Sequence, residues 1–311
     1  MERVSGGAIL PERFRGGVAA LGNFDGFHAG HQAVVGRALA LARERGVPAL
    51  VASFDPHPAR LFQPDLPPFA LTGVSQRMDL IAEFGIDATV MIPFDRTLAG
   101  QSAEDFVTQW LVRRMALSGV VTGGDFTFGK DRSGDVALLA TLGAAQGFSA
   151  EVVAPVIDAE GVISSSRARE LLREANPVGA AALLTRPYTI RGMVKHGAKL
   201  GRTLGFPTAN VRLGDYQRPA YGVYAVMVRL PGGKRVPGVA NLGIRPMIEP
   251  PVELLETWLM DWDGDLYGKV IAVELVAYLR PEMKLDGLEA LKLQIAADAD
   301  AARKVLAFPP S

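Results

Sequence analysis

The chain contains no cysteine. That excludes disulfides, thiolate metal centres and thiol nucleophiles together, and makes a reducing cytoplasm the expected compartment. Net charge is also missing, since 33 Lys and Arg balance 33 Asp and Glu. A balanced chain has no broad field with which to hold nucleic acid or an anionic membrane, although a local basic pocket for a nucleotide remains open to it. No apolar run is long enough to cross a bilayer. The opening residues MERVSGGAILPERF lack the basic-then-apolar pattern of a secretory leader. Fixed-period repeats and low-complexity tracts are absent as well. What is present is an ordinary globular composition, 49% apolar and 21% charged. A length of 311 residues predicts two domains, each with its own core. Nothing in it sets an oligomeric state.

Histidine is scarce, four in all, and two of the four stand in GNFDGFHAGH, Gly22 to His31. The apolar stretch Val18–Leu21 before it reads as a buried strand. The apolar-periodic run Gln32–Arg45 after it reads as a helix, stopped by Gly46. A strand-to-helix turn gathers free backbone N–H groups and the positive end of the helix dipole, which suits a phosphate chain. Gly22, Gly26 and Gly30 let the backbone turn and approach a ligand. His28 and His31, three apart, share a face of the first helical turn and can stabilise charge on a leaving pyrophosphate.

The rhythm of the first half continues as alternating elements. Pro48–Phe54, Ile86–Phe94, Gly119–Thr122 and Glu151–Val156 read as strands. Ser75–Phe84, a stretch from Ser102 as N-cap to Met115, and Asp135–Gln146 read as helices. That alternation predicts an α/β, doubly wound parallel sheet, whose ligands bind beyond the carboxyl ends of its strands. Ser164–Ala175 and Pro177–Leu184 read as two short helices. Near Thr185-Arg186-Pro187 the pattern changes to short β-rich runs separated by turns, with Pro231-Gly232-Gly233-Lys234 as a hairpin loop. The second half is expected to be an antiparallel β-barrel or sandwich, closed by a terminal amphipathic helix from Asp286 to about Leu306. The boundary is placed so that the domains are 1–185 and 186–311.

The motif GxFDGxHxGH resembles the nucleotidyltransferase superfamily. More closely, the chain is similar to the bifunctional bacterial riboflavin kinase/FAD synthetase family. The likeness extends through FDPHP (Phe54–Pro58), GGDFTFGKDRSGD (Gly123–Asp135) and ISSSRAR (Ile163–Arg169), in the family's order and spacing. It implies a Rossmann-like nucleotidyltransferase fold for the N-terminal half and a C-terminal barrel. It implies that His28 and His31 act in catalysis, and that Gly22, Phe24, Asp25, Gly30, Ser164, Ser165 and Arg169 bind ATP. Ser166 stands where the family usually has Thr. Asp125 and Phe128 match flavin-binding positions, and Phe62 is a second candidate for stacking on an isoalloxazine. Arg77, in LTGVSQRMDL, stands where the family usually has Lys and is given no role. His57 is read as a loop residue as readily as a functional one.

The second half resembles the same family in GRTLGFPTAN (Gly201–Asn210), GVYA, GVANLGIRP and DLYG. Gly201 and Arg202 would wrap ATP phosphates. Thr208 and Asn210 point to one face of a strand and offer the oxygen ligands that Mg²⁺ prefers. Glu256 falls on the family's catalytic carboxylate, which would take the proton from riboflavin's ribityl hydroxyl. Trp258 replaces a frequent His, and Met247–Leu254 departs from the usual continuation. Leu291, Gln294 and Asp298 on the terminal helix match a family run and are read as packing residues. The resemblance thus implies two activities: riboflavin to FMN with ATP, then FMN to FAD with release of pyrophosphate. The substrates and products are small molecules, ATP, riboflavin, FMN and FAD, with Mg²⁺ as cofactor. Two alternatives stay open, a chain retaining only the adenylyltransferase and a flavin-binding regulatory protein without turnover.

Overall fold

A computed structural model describes residues 1–4, 7, 9–196, 205–245 and 252–307. The chain forms two compact units: Met1–Pro67 with Val74–Ser164, and Pro68–Gly73 with Ser165–Ser311.

The first unit is built on a sheet of six parallel strands, β1 (Glu2–Val4), β2 (Val18–Leu21), β3 (Ala49–Asp55), β4 (Ala88–Pro93), β5 (Gly119–Gly123) and β6 (Ser149–Val153). Their order is β1-β4-β3-β2-β5-β6, so the sheet is doubly wound, as expected. Period two along the central strands divides the core. Ala19, Leu21, Leu50 and Ala52 face one layer, with Phe106, Leu111 and Leu139. Val18, Ala20, Ala49 and Val51 face the other, with Val34, Val35, Ala38, Met78 and Ile81. The second layer is formed by α1 (Ala29–Arg45) and α3 (Val74–Glu83), the first by α5 (Ala103–Phe106) and α6 (Val136–Gln146) among others; α2 (Pro58–Phe62) and α4 (Arg96–Ala99) are short. Caps fall where the sequence puts them. Gly46 ends α1 at φ 64°, and Asp135 Oδ1 accepts from the Leu138 N–H at 2.8 Å.

Two details differ from the expectation. The helix expected from Ser102 to Met115 is α5 followed by an eight-residue π-helix, Val107–Arg114. Two turns are too few for apolar spacing to separate a π-helical from an α-helical period. Strand β1 and the ribbon β7 (Ile157–Asp158) and β8 (Gly161–Val162) are two or three residues each, too short to carry a period.

The second unit begins with α7 (Ser165–Arg173) and α8 (Pro177–Leu184), followed by β9 (Tyr188–Lys195), β10 (Thr208–Arg212), β11 (Gly222–Arg229), β12 (Arg235–Arg245), β13 (Val252–Leu259), β14 (Val270–Arg280) and α9 (Gly287–Ala307). The strands close an antiparallel barrel in the order β10-β13-β12-β11-β14-β9. Ala209, Val211, Ala240, Leu242, Leu255 and Thr257 are buried on its inward face. Val223, Ala225 and Val239 point outward and are covered by Ala299 and Ala302 of α9. A fork from Arg280 to Asp298, 2.8 and 2.6 Å, anchors that helix to β14. At Gly222 (φ 148°) an added Cβ would lie 2.4 Å from the Arg280 carbonyl oxygen, so only glycine fits. Segment 68–73 belongs to this unit through Ala70, whose N–H donates to the Asp215 carbonyl at 2.9 Å and whose carbonyl accepts from Gln217 N–H at 2.7 Å.

Candidate functional sites

In the first unit the turn after β2 is tight and wound partly left-handed. Phe24 (φ 53°), Gly26 (φ 82°) and Phe27 (φ 41°) follow one another. Holding non-glycine residues there costs about 1 kcal/mol or more each. Burial offsets it: the Phe24 and Phe27 rings are 1% and 2% exposed. The Phe24 ring lies beneath Gly22, whose added Cβ would meet it at 3.2 Å. Phe24 can therefore meet a ligand only through its backbone. Asp25 is buried as well.

Helix α1 starts at the motif itself. His28 is its N-cap, and its Nδ1 accepts from the His31 N–H at 3.4 Å. The two imidazoles stack with centroids 3.7 Å apart, and the Phe24 ring meets His31 edge-on at 5.4 Å. Gly30 is close-packed, since an added Cβ would lie 3.1 Å from the His28 ring. Below the turn lies a residue that sequence reading left without a role. Arg77 of α3 is buried, and its Nη1 donates to the Asn23 carbonyl at 2.7 Å. Burial pushes its guanidinium below the ordinary arginine value, and Asp25 and Asp55 oppose that shift. The signal was there in principle: Arg77 adjoins Met78 on the apolar side of an amphipathic helix.

The flavin candidates separate by exposure. Phe62 is 66% exposed, with Phe94 against it at 6.0 Å. Phe128 is buried between Phe106 and Phe126, at 5.6 and 5.7 Å. Asp125 is exposed on the loop after β5. His57 has a local structural task, capping α2 by accepting from the Ala59 N–H at 3.2 Å. Ser164 ends the first unit. Ser165 opens α7 in the second unit. There Arg169 Nε donates to the Phe69 carbonyl at 2.8 Å, with the guanidinium 5.3 Å above the Phe69 ring.

On the barrel, pairing register does what a contiguous motif does in the first unit. Asn210 on β10 lies opposite Glu256 on β13, and Glu256 lies opposite Asn241 on β12. Residues directly opposite share a face, so the three form one row. That row shares the outward face with Val223 and Val239. Asn210 is buried, and the Oδ1 atoms of Asn210 and Asn241 have no hydrogen-bond partner among the described residues. Buried acceptors without donors are rare in folded proteins. Thr208 follows on the same face of β10, opposite Trp258. It borders a cleft of about 470 Å³ shared with Pro207, Leu259, Trp262, Asp265 and Tyr267. Asp265 shapes the cleft's rim by accepting from the Tyr267 N–H at 2.9 Å, and the His196 ring lies 3.9 Å from that of Tyr267. The expected phosphate residues Gly201 and Arg202, and most of the Met247–Leu254 segment, lie outside the described residues. In the described part of that segment Glu253 accepts from Arg218 Nε at 2.7 Å and from the Tyr221 hydroxyl. Arg218 holds the Glu253 carboxyl below the usual range, while burial and Glu253 push the Tyr221 phenol up to about 12. Asn241 is a residue for which sequence reading named no role beyond the barrel wall; its signal lies in strand register, which no linear spacing displays.

Comparison with known proteins addresses both halves. A family model for FAD synthetase matches residues 10–167, and one for riboflavin kinase matches residues 184–306. The bifunctional riboflavin kinase/FMN adenylyltransferase of Pseudomonas fluorescens is 41% identical over 309 residues, 99% of this chain and 98% of its own. That of Escherichia coli K12 is 40% identical over 289 residues, 93% and 92% of the two chains. A crystal structure of a Streptococcus pneumoniae protein described as a macrolide-efflux protein superposes with a TM-score of 0.87 at 28% identity, over 97% of this chain and 99% of that one. No described helix here is long and apolar enough to cross a membrane. Since both family models match in turn and the relatives are alike over nearly their full length, the chain belongs to the bifunctional riboflavin kinase/FMN adenylyltransferase family.

Proposed function

We propose that the chain makes FMN and then FAD at two separate sites, one in domain 186–311 and one in domain 1–185. The observation that carries the first is the row Asn210–Glu256–Asn241, which sets a carboxylate between two amides whose oxygens lack donors. Glu256 accepts the proton of riboflavin's terminal ribityl hydroxyl as that oxygen attacks the γ-phosphorus of ATP, and ADP leaves. Thr208 and Asn210 would hold Mg²⁺, a role that the unpartnered buried Oδ1 of Asn210 fits. Bound there, the ion would supply charge to offset that of the ATP phosphates. Gly201 and Arg202 wrap the phosphates.

In the second reaction an FMN phosphate oxygen attacks the α-phosphorus of another ATP. The bond from that phosphorus to the bridging oxygen breaks, and pyrophosphate leaves. The chain's work is positioning and charge stabilisation. With Nδ1 accepting from the His31 N–H, the Nε2 side of the His28 ring is left to donate to a phosphate. His31 stacks beside it, and the positive end of the α1 dipole favours the same charge. The backbone at Gly22, Phe24, Asp25 and Gly30 shapes the nucleotide side. Ser164, Ser165 and Arg169 supply a second phosphate clamp, and Phe62, Asp125 and Phe128 receive the flavin. Both reactions are assigned to the cytoplasm.

The test is direct: incubate the full chain with riboflavin, ATP and Mg²⁺ and resolve the flavins by chromatography. FMN is expected first and FAD after it. FMN without FAD, or neither, overturns the assignment of two working sites.

A further inference from the structure

Arg77 stands out among the buried charged groups, because it lies at a motif it does not belong to. Taking a guanidinium out of water costs several kcal/mol. An apolar side chain at this position of α3 would avoid that cost and pack with Met78 and Ile81. Instead the arginine spans the turn after β2 and the end of strand β3. Its Nη1 donates to the Asn23 carbonyl at 2.7 Å, in the turn after β2, and its Nη2 reaches the Phe54 carbonyl at 3.5 Å, in FDPHP at the end of β3. The Asn23 carbonyl also accepts from Ser53 Oγ at 3.0 Å, so one backbone oxygen is held from two sides. Asp25 and Asp55, one in each motif, act on the guanidinium as counter-charges. Arg77 Nε, buried, has no hydrogen-bond partner among the described residues. A side chain kept for stability alone would not leave a buried donor unmet.

We propose that Arg77 is a positioning residue for adenylyl transfer. It locks the carbonyl of Asn23 and balances the buried Asp25, so that the turn keeps its geometry and a positive potential as negative charge builds on the departing pyrophosphate. This rests on reading the Gly22–His31 turn as the adenylyl-transfer site. The cation is the essential part and the fork is secondary, because the turn is held mainly through one short bond.

The experiment compares full-length Arg77→Met, Arg77→Gln, Arg77→Lys and His28→Ala, assaying FAD formation from FMN and FMN formation from riboflavin on each preparation. Arg77→Met is expected to lower kcat for FAD formation about 30-fold, with KM for FMN moved by less than about threefold. Riboflavin phosphorylation should stay within about twofold of the parent, and Arg77→Lys should recover FAD formation to within about fivefold. Where Arg77→Met does not fold, Arg77→Gln takes its place: it keeps a donor for the carbonyl, loses the charge, and should fall by about tenfold or more. A neutral variant that keeps more than about a third of the parent kcat overturns the inference, as does a lysine variant no better than the neutral one. Undiminished FAD formation by His28→Ala would instead overturn the reading of the site itself.

Discussion

The two proposed sites are built in opposite ways. In the parallel sheet the proposed site is a loop. Ten consecutive residues bring N–H groups, two histidines and left-handed backbone to the carboxyl end of β2. In the barrel the proposed site is a row across three strands. Its members, Asn210, Glu256 and Asn241, are distant in sequence and meet only through register. A loop site depends on backbone conformation and on what lies beneath it, such as the Phe24 ring and Arg77. A row site depends on the pairing of whole strands, where a slip by one residue turns every side chain to the other face.

The sharpest way to break this comparison is to remove one central group from each half. Glu256→Gln takes away the proposed proton acceptor and should lower FMN formation about 10³-fold, with FAD formation from added FMN kept. His28→Ala takes away a proposed donor to phosphate and should lower FAD formation about 10²-fold, so that FMN accumulates from riboflavin. The carboxylate change is the larger because no other described residue in the row can accept a proton, whereas the helix N-terminus and His31 remain after His28 is lost. Loss of both activities in either variant contradicts two separate sites.

That contrast also decides how much could be read from the sequence. The parallel sheet was legible because buried strands alternate with amphipathic helices, and α8 is found at Pro177–Leu184 as expected. The histidine turn was legible because its residues are contiguous. Its support was not. Arg77 is far along the chain from Asn23, and only folding brings α3 under the turn. The closed barrel appeared in the sequence as a choice between barrel and sandwich, since closure requires β9 to pair β10. Glu256, Thr208 and Asn210 were reached through resemblance to a family. Asn241 was left in the barrel wall, because register is not a property of spacing along one strand.

A second comparison concerns stability. The barrel's terminal helix is held by a charged fork, with Asp298 almost fully buried beneath Arg280. Asp298→Asn leaves that guanidinium without its counter-charge and should cost about 3 kcal/mol, lowering the midpoint for thermal loss of kinase activity by roughly 10 °C. FAD formation from FMN, followed in the same heated samples, should keep its own midpoint. Parallel loss of the two activities would show that the halves do not unfold separately.

The smallest expected effect belongs to Trp258, which the resemblance sets in place of a frequent His. It lies opposite Thr208 in the pairing of β13 with β10, so it borders the row that carries Glu256. Its indole packs edge-on against Phe206 at 4.9 Å and joins the apolar cluster under α9. That packing accounts for an aromatic residue beside a polar row: its apolar body is used outside the reaction, against the helix. Trp258→His should therefore change kcat for FMN formation by less than about threefold while costing about 1–2 kcal/mol of barrel stability from lost apolar contact. Measuring kinase rate and melting midpoint together separates the two effects. A rise in kcat of about tenfold or more would mean that the imidazole takes part in phosphoryl transfer. The row would then extend from Asn241 and Glu256 to position 258, and the barrel site, like the loop site, would hold a histidine at its phosphates.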